Sequence, residues 1–221
     1  MFTGIIEEIG KVKSITKSGN TLRLVIAAKI VTKDVKLGDS IAVNGVCLTV
    51  TKFDSNSFVA DVMPVTFYAT NLSRLLANSQ VNLERAMAAN GRFGGHMVSG
   101  HIDGTAKIVA IKTNENAIIY TIELASGLEL FCVEKGSIAI DGTSLTIAVI
   151  SGTKLSVSLI PHTRKHSILG FKKIGELVNI ECDIMAKQHA KLSDYDSVSG
   201  SHKAGNSSGI TEGYLAEHGF I

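Results

Sequence analysis

Cys47 stands two residues before Thr49, and Ser144 stands two residues before Thr146. Residues two apart on a strand point to one side, so each pair sets a thiol or hydroxyl beside a threonine hydroxyl on one face. The stretches that carry them are copies. Ser40-Ile41-Ala42-Val43-Asn44-Gly45-Val46-Cys47-Leu48-Thr49-Val50 returns as Ser137-Ile138-Ala139-Ile140-Asp141-Gly142-Thr143-Ser144-Leu145-Thr146-Ile147, with Gly45 recurring as Gly142 after 97 residues. Groups of this kind can move protons or add to an electron-poor carbon, and general acid–base help of this sort is worth about 10²–10⁴-fold. His101 adds an imidazole, a proton carrier near neutral pH, beside Gly100, which permits close backbone approach. His162 follows Pro161 at an expected helix start, where neutral imidazole is favoured and backbone N–H groups are available to a carbonyl. Plainer readings stand beside these. A thiol flanked by Val46 and Leu48 is often an inert buried group, Asp141 has its own turn to make, and Lys135 reads as a solvated charge at a strand end, with Gly38 in the matching position. The alignment of Cys47 with Ser144 favours two pocket walls.

Other chemistries lack their residues. There is no Gly-x-Gly-x-x-Gly after a strand, no phosphate loop, no His-Glu-x-x-His and no Gly-x-Ser-x-Gly. Cys47, Cys132 and Cys182 form no Cys-x-x-Cys pair, and His96 and His101 are not at a convincing ligand spacing, so neither a metal nor a cofactor is expected. The odd number of cysteines and the lack of a disulfide framework suit a reducing cytoplasm. A net charge of +2 with scattered Lys and Arg gives no basic stripe for nucleic acid, and no run approaches the roughly 18 apolar residues of a membrane helix. A soluble, unprocessed protein with a small-molecule ligand is expected.

The repeat extends well beyond the two strands. Met63-Pro64-Val65-Thr66 returns as Ile160-Pro161-His162-Thr163, Val81-Asn82-Leu83-Glu84 as Val178-Asn179-Ile180-Glu181, and, one residue out of register, Phe2-Thr3-Gly4-Ile5-Ile6 as Val98-Ser99-Gly100-His101-Ile102. Strands are expected at 22–26, 40–44, 47–51 and 58–62 and again at 118–123, 137–140, 144–149 and 155–159. Many short strands at this spacing predict an all-β fold, a tandem pair of small closed Greek-key barrels that leave no sticky edges. Asn44-Gly45 and Asp141-Gly142 are type I′ hairpin signals. Pro64 and Pro161 open short capping helices, the first continuing through Tyr68, Leu72 and Leu76. Residues 1–96, 97–186 and 187–221 are expected to be the first barrel, the second barrel, and a C-terminal oligomerisation helix with a polar tail: a helix at 186–192, a Ser/Gly-rich linker at 197–209 and a further helix from Thr211. Apolar residues outside the repeat need a partner, for which a homo-oligomer contact suffices.

With these motifs on the page, the chain resembles the riboflavin synthase alpha-chain family. The likeness rests on Met1 to Glu7, Val43 to Val50, Gly94 to Gly104 and Lys135 to Thr146, and covers residues 1 to about 190 plus an ending at 210–220. The resemblance implies two lumazine-binding barrels, a homotrimer, and dismutation of two 6,7-dimethyl-8-ribityllumazine molecules to riboflavin and 5-amino-6-ribitylaminouracil without metal or cofactor, with lumazine synthase as a further partner. Carried over by position, the first barrel holds its ligand with Gly4, Ile5, Ile6, Cys47, Leu48, Thr49, Asp61, Val62, Met63, Pro64, Val65 and Thr66. The second uses Gly100, His101, Ile102, Lys135, Ser144, Leu145, Thr146, Ser158, Leu159, Ile160, Pro161, His162 and Thr163. Ser40, Cys47, His101 and Thr146 are the expected catalytic groups. Two departures stand out: the family usually has Glu where this chain has Val65, and a polar residue near Tyr68. A non-catalytic lumazine- or flavin-binding protein of the same fold is the competing reading. Polar pocket residues kept in both halves favour the enzyme.

Overall fold

A computed structural model describes residues 1–199 and 212–220. Strands β1 (Glu8–Ser18), β2 (Thr21–Ala27), β3 (Ser40–Val43), β4 (Val46–Asp54), β5 (Ser57–Val62) and β6 (Gln80–Arg85) close into an antiparallel barrel in the order β1-β2-β5-β4-β3-β6. The second repeat gives β7 (Gly104–Asn114), β8 (Ala117–Glu123), β9 (Ser137–Ile140), β10 (Thr143–Ser151), β11 (Lys154–Leu159) and β12 (Leu177–Cys182), closed in the equivalent order. In each barrel the second strand lies beside the fifth, which is the Greek-key return. The four strands expected in each half are present; β1, β6 and their copies β7 and β12 are additional. The register slip lies in the connection at 124–136, one residue longer than the one at 28–39 and carrying a 3-10 turn, Leu128–Phe131.

Alternation of side chains decides which face does what. Ile41, Val43, Leu48 and Val50 fill the first barrel together with Leu24, Ile26, Phe58 and Leu83, and Ile138, Ile140, Leu145 and Ile147 do the same in the second. The interleaved residues Ser40, Ala42, Cys47 and Thr49 therefore point outward, as do Ser137, Ala139, Ser144 and Thr146. The pocket walls are on the outside of the barrels, because each interior is packed solid.

The first capping helix is shorter than its periodicity suggested. α1 (Pro64–Ala69) stops at Thr70, which is extended (φ −123°, ψ 170°), and a 3-10 turn (Asn71–Arg74) follows. The Thr70 hydroxyl donates to the Thr66 carbonyl at 2.8 Å, and the Asn71 N–H is directed instead to the Asn179 side chain at 2.7 Å. α2 (Pro161–His166) repeats this break. α3 (Ile184–Ser199) is longer than expected and takes up 197–199 of the anticipated linker; 200–209 lie outside the described residues, as do Ile210 and Thr211. α4 spans Glu212–Glu217. Met1–Lys187, with both barrels, is one compact unit, and the chain from Gln188 forms another. No described helix is long and apolar enough to cross a membrane.

The barrels meet across a pseudo-twofold seam. Phe2 and Val98 exchange backbone hydrogen bonds at 2.7 and 3.2 Å. The two hairpins adopt the positive φ expected of them, 47° and 80° at Asn44-Gly45 and 45° and 76° at Asp141-Gly142. They abut so closely that a Cβ on either glycine would lie 2.7 Å from the other's nitrogen. Buried amides stitch the seam in matching pairs. Asn82 Nδ2 donates to the Asp141 carbonyl and Asn179 Nδ2 to the Asn44 carbonyl, both at 2.9 Å. Asn82 Oδ1 accepts from Ile168 N and Asn179 Oδ1 from Asn71 N, both at 2.7 Å. The pairing is uneven where Asn71 matches Ile168 and where Asp141 takes the place of Asn44. The buried Asp141 carboxyl accepts from Asn179 N (2.8 Å) and Asn71 Nδ2 (2.6 Å), with the Lys172 ammonium 3.7 Å from the other oxygen. Burial raises its pKa to about 6 despite Lys172 and these hydrogen bonds.

A folded-state pKa raised from 3.8 to about 6 means that this group's contribution to stability is complete below 3.8 and is lost as pH rises through 6. Asp141→Asn, which restores the first repeat's residue, is expected to remove that component. The gap in melting temperature between wild type and variant should change between pH 4 and 6 and level off above it; a gap independent of pH contradicts this reading.

Candidate functional site

Two outward walls, one on each barrel, hold the candidate residues. On the first, Ser40 pairs with Thr49 and Ala42 with Cys47 across β3 and β4; on the second, Ser137 pairs with Thr146 and Ala139 with Ser144. Thr49 and Thr146 are exposed, and Cys47 and Ser144 are half-buried. The strip continues onto β5 and β11. Asp61 on the first wall pairs with Arg23 at 3.4 Å, whereas the matching Ser158 lies opposite Ile119, so the walls differ in charge as well as at Cys47/Ser144.

The segments leading into the barrels cross over. Gly4 donates its N–H to Glu84 Oε2 of its own barrel (3.0 Å), while its carbonyl accepts from Ser144 N of the other (2.7 Å). Gly100 mirrors this, with its N–H on Glu181 Oε2 (3.0 Å) and its carbonyl accepting from Cys47 N (2.9 Å). A Cβ on Gly4 would lie 2.6 Å from Ser144 Cβ, and one on Gly100 2.5 Å from Cys47 Cβ. Both glycines also need φ near +80°, so glycine is required twice over. Gly100, His101 and Ile102 thus belong with the first wall, where Ile102 packs against the first core, and Gly4 and Ile5 belong with the second. The assignment of these segments by sequence order is corrected: each wall is covered by the other repeat.

Glu84 and Glu181 hold the crossing in place. Glu84 Oε1 accepts from Thr3 N (2.6 Å) and Thr3 Oγ1 (2.8 Å), and Glu181 Oε1 from Ser99 N and Ser99 Oγ (both 2.6 Å). Burial raises the Glu84 pKa, while its bonds to Thr3 and Gly4 oppose the rise. Neither glutamate nor Asn82 or Asn179 was among the sequence candidates, although an identical Asn and Glu at matching places in both repeats was a signal for a shared buried role.

His96 was also passed over. It is buried, its Nδ1 lies 2.7 Å from Ser144 Oγ, and its Nε2 has no partner. Burial lowers its pKa, with Asp183 pulling the other way, so the ring is neutral at pH 7 and shares one hydrogen bond with the serine. Gly95 presses on the same side chain, where a Cβ would lie 3.0 Å from Ser144 Oγ. Cys47 has no imidazole bonded to it among the described residues. The second wall therefore carries a hydroxyl–imidazole pair that the first lacks.

The remaining candidates are divided between the rims and the cores. Lys135 is exposed with φ 66°, and its N–H donates to the Ile147 carbonyl (2.8 Å) as that of Gly38 does to Val50 (2.9 Å). A lysine held in the left-handed region where the copy uses glycine is a strained choice that points to a one-sided role. Leu48, Leu145, Val62 and Leu159 face the cores. Met63, Val65, Ile160 and Tyr68 are exposed, Pro64 and Thr66 half-buried. His162 is exposed and stacks on His166 at 4.2 Å, beside Pro161 and Thr163. A cleft of about 530 Å³ lined by Thr3, Ile5, Glu84, Arg85, Arg92 and Gly94 adjoins the crossing without including the β4 or β10 walls.

Paired barrels with this architecture define a tandem lumazine-binding protein: the family model described as "Lumazine binding domain" matches residues 3–86 and 99–183. A riboflavin synthase of Bacillus amyloliquefaciens is 50% identical over 220 residues, covering 100% of both chains, and one of Actinobacillus pleuropneumoniae is 57% identical over 187 residues, 85% of this chain and 87% of that one. The chain belongs to the riboflavin synthase family. Among solved structures, LumP complexed with riboflavin is similar at a TM-score of 0.76 and 26% identity over 82% of this chain and 99% of that one, and LumP complexed with 6,7-dimethyl-8-(1'-D-ribityl)lumazine at 0.74 and 26% over the same shares.

The crossing can be read from a thiol. Cys132 and Cys182 are buried and Cys47 is not. Gly100→Ala is expected to speed alkylation of Cys47 at least tenfold, while Gly4→Ala, which disturbs the other wall, leaves it close to wild type. Faster alkylation in Gly4→Ala instead contradicts the crossed arrangement.

Proposed function

We propose that this chain converts two molecules of 6,7-dimethyl-8-ribityllumazine to riboflavin and 5-amino-6-ribitylaminouracil, the last step of riboflavin biosynthesis, as a transferase of a four-carbon unit that needs neither cofactor nor metal. The observation that carries the reading is the pair of like but unequal walls. Two identical substrates that react with each other need two similar sites, and their different roles need sites that are not the same. The full-length likeness to riboflavin synthases supports it.

One lumazine gives up a proton from its C7 methyl group and becomes the nucleophile; the other yields the four-carbon unit. Ser40, Cys47 and His101, gathered around the first wall, and Thr146, on the second, are the groups assigned to proton transfer or addition. Backbone N–H groups at the pyrimidine oxygens would stabilise the anion, help of the oxyanion-hole kind. Ribityl and ring contacts are assigned to Asp61 to Thr66, Ser158 to Thr163 and Lys135, and Val65 in place of Glu predicts weaker hold at the first wall. We assign the first barrel to residues 1–96, the second to 97–186 and the oligomerisation segment to 187–221, in a cytoplasmic homotrimer able to associate with lumazine synthase. Exposure of Thr49, Thr146 and Ile160 in the single chain supports sites completed by a neighbour.

Purified protein mixed with the lumazine should develop flavin absorbance, one flavin for every two lumazines consumed. Binding without flavin formation favours the second reading, a lumazine- or flavin-binding protein of the LumP kind, which the similarity to ligand-bound LumP keeps in view.

Reacting atoms must come within about 3–3.5 Å, so a first wall is expected to face the second wall of another chain. Cys47→Ala and Thr146→Ala, each expected to lower turnover at least tenfold, should regain activity when mixed through unfolding and reassembly. Mixed oligomers that stay inactive contradict a site between chains.

A further inference from the structure

Cys132 and Cys182 converge in the second barrel. Cys132 follows the 3-10 turn Leu128–Phe131 and Cys182 ends β12. The Leu128 carbonyl lies 3.5 Å from Cys132 Sγ and 3.8 Å from Cys182 Sγ, so the two sulfurs gather around one acceptor. Neither belongs to the walls described above, and neither has a counterpart in the first repeat, where the matching positions are Val35 and Arg85. The turn that delivers Cys132 falls in the connection that is one residue longer than its copy, so the second repeat has acquired both thiols and the means of bringing them together.

We propose that Cys132 and Cys182 form a reversible dithiol–disulfide modification site, oxidised by a hydroperoxide. The two thiols are unequal, which sets the order of events. Cys132 is the less enclosed, 8% exposed against 1% for Cys182. The neighbouring Cys182 thiol draws the Cys132 thiol below its ordinary value, and Cys182 itself is pushed up and holds its proton. Nucleophilic attack and oxidation follow thiolate character and access, so Cys132 is the sulfur oxidised first. Its thiolate takes one oxygen from the hydroperoxide, breaking the O–O bond, releasing the alcohol or water and becoming a sulfenic acid. The Cys182 sulfur then attacks that sulfur, an S–S bond forms, the S–O bond breaks, and the oxygen departs as water with the Cys182 proton. An external dithiol returns both residues to thiols by exchange.

The bond would act where β12 leads into α3. The Cys182 N–H donates to Asp103 Oδ2 (2.8 Å), and Asp103 binds the Lys187 ammonium at 2.9 Å. The next residue, Asp183, caps α3 through the Met185 N–H (3.0 Å) and is the charge that acts on His96. Tying Cys182 to the 128–131 turn therefore fixes the junction beside the second wall.

The test treats the native protein with hydrogen peroxide, blocks remaining thiols with iodoacetamide and maps the peptides by mass spectrometry without reduction. The expected result is a Cys132–Cys182 linked peptide, lighter by two hydrogens, that dithiothreitol reverses, with Cys47 modified independently. In Cys182→Ala, Cys132 should pass on to the sulfinic acid, since nothing resolves the sulfenic acid. Wild-type protein in which both thiols remain alkylatable after unfolding, or in which Cys132 overoxidises while Cys182 stays reduced, overturns the proposal.

Discussion

Packing two barrels edge to edge buries the ends of their hairpins, and the backbone groups there must find partners away from water. An orphaned buried donor or acceptor costs about 1–3 kcal/mol, against a total of about 5–15 kcal/mol for a folded domain. Asn82 and Asn179 meet that requirement, each bonding the hairpin carbonyl of the other repeat and the N–H of the turn after the other repeat's helix. Two side chains thus satisfy four backbone groups across the seam, and the glycines at 45 and 142 allow the approach. Much of the remaining architecture follows from this contact.

With the hairpins locked, the chain entering each barrel lies on the neighbouring one. Glu84 and Glu181 fix these segments from behind, and the Gly4 and Gly100 carbonyls meet Ser144 and Cys47 in front. Each wall then has one side from each repeat, and the two walls stay coupled while their side chains diverge. The walls differ most at their polar side chains. The second wall has the His96–Ser144 contact, and the first has a thiol against Gly100 and the Arg23–Asp61 pair. A reaction between two identical molecules requires that combination of likeness and difference.

Much of this was legible in the residues. The hairpins, eight of the strands, the two barrels and the polar faces follow from a spacing of 97 residues and from alternation within strands, because both are local or self-referential signals. The crossing was not, since Gly4 and Gly100 look the same whichever barrel they touch; only the seam decides. The outward placement of the walls was equally hidden, because Cys47 and Leu48 are both apolar enough for a core and the barrel's closure selects between them. The strand at 8–18 escaped notice because its lysines and serines mask the alternation, and the helix after Pro64 was overextended because Asn71 is claimed by Asn179, a partner 108 residues away. The His96 imidazole was visible as a residue but not as a contact.

The central claim is that each wall is built from both repeats. Selective labelling of glycine and cysteine, with nuclear Overhauser effects between Gly α-protons and Cys β-protons, tests it directly. A cross-peak between Gly100 and Cys47, with none between Gly4 and Cys47, is the expected result. A Gly4–Cys47 cross-peak in place of Gly100–Cys47 would show that each repeat covers its own wall and would contradict the account.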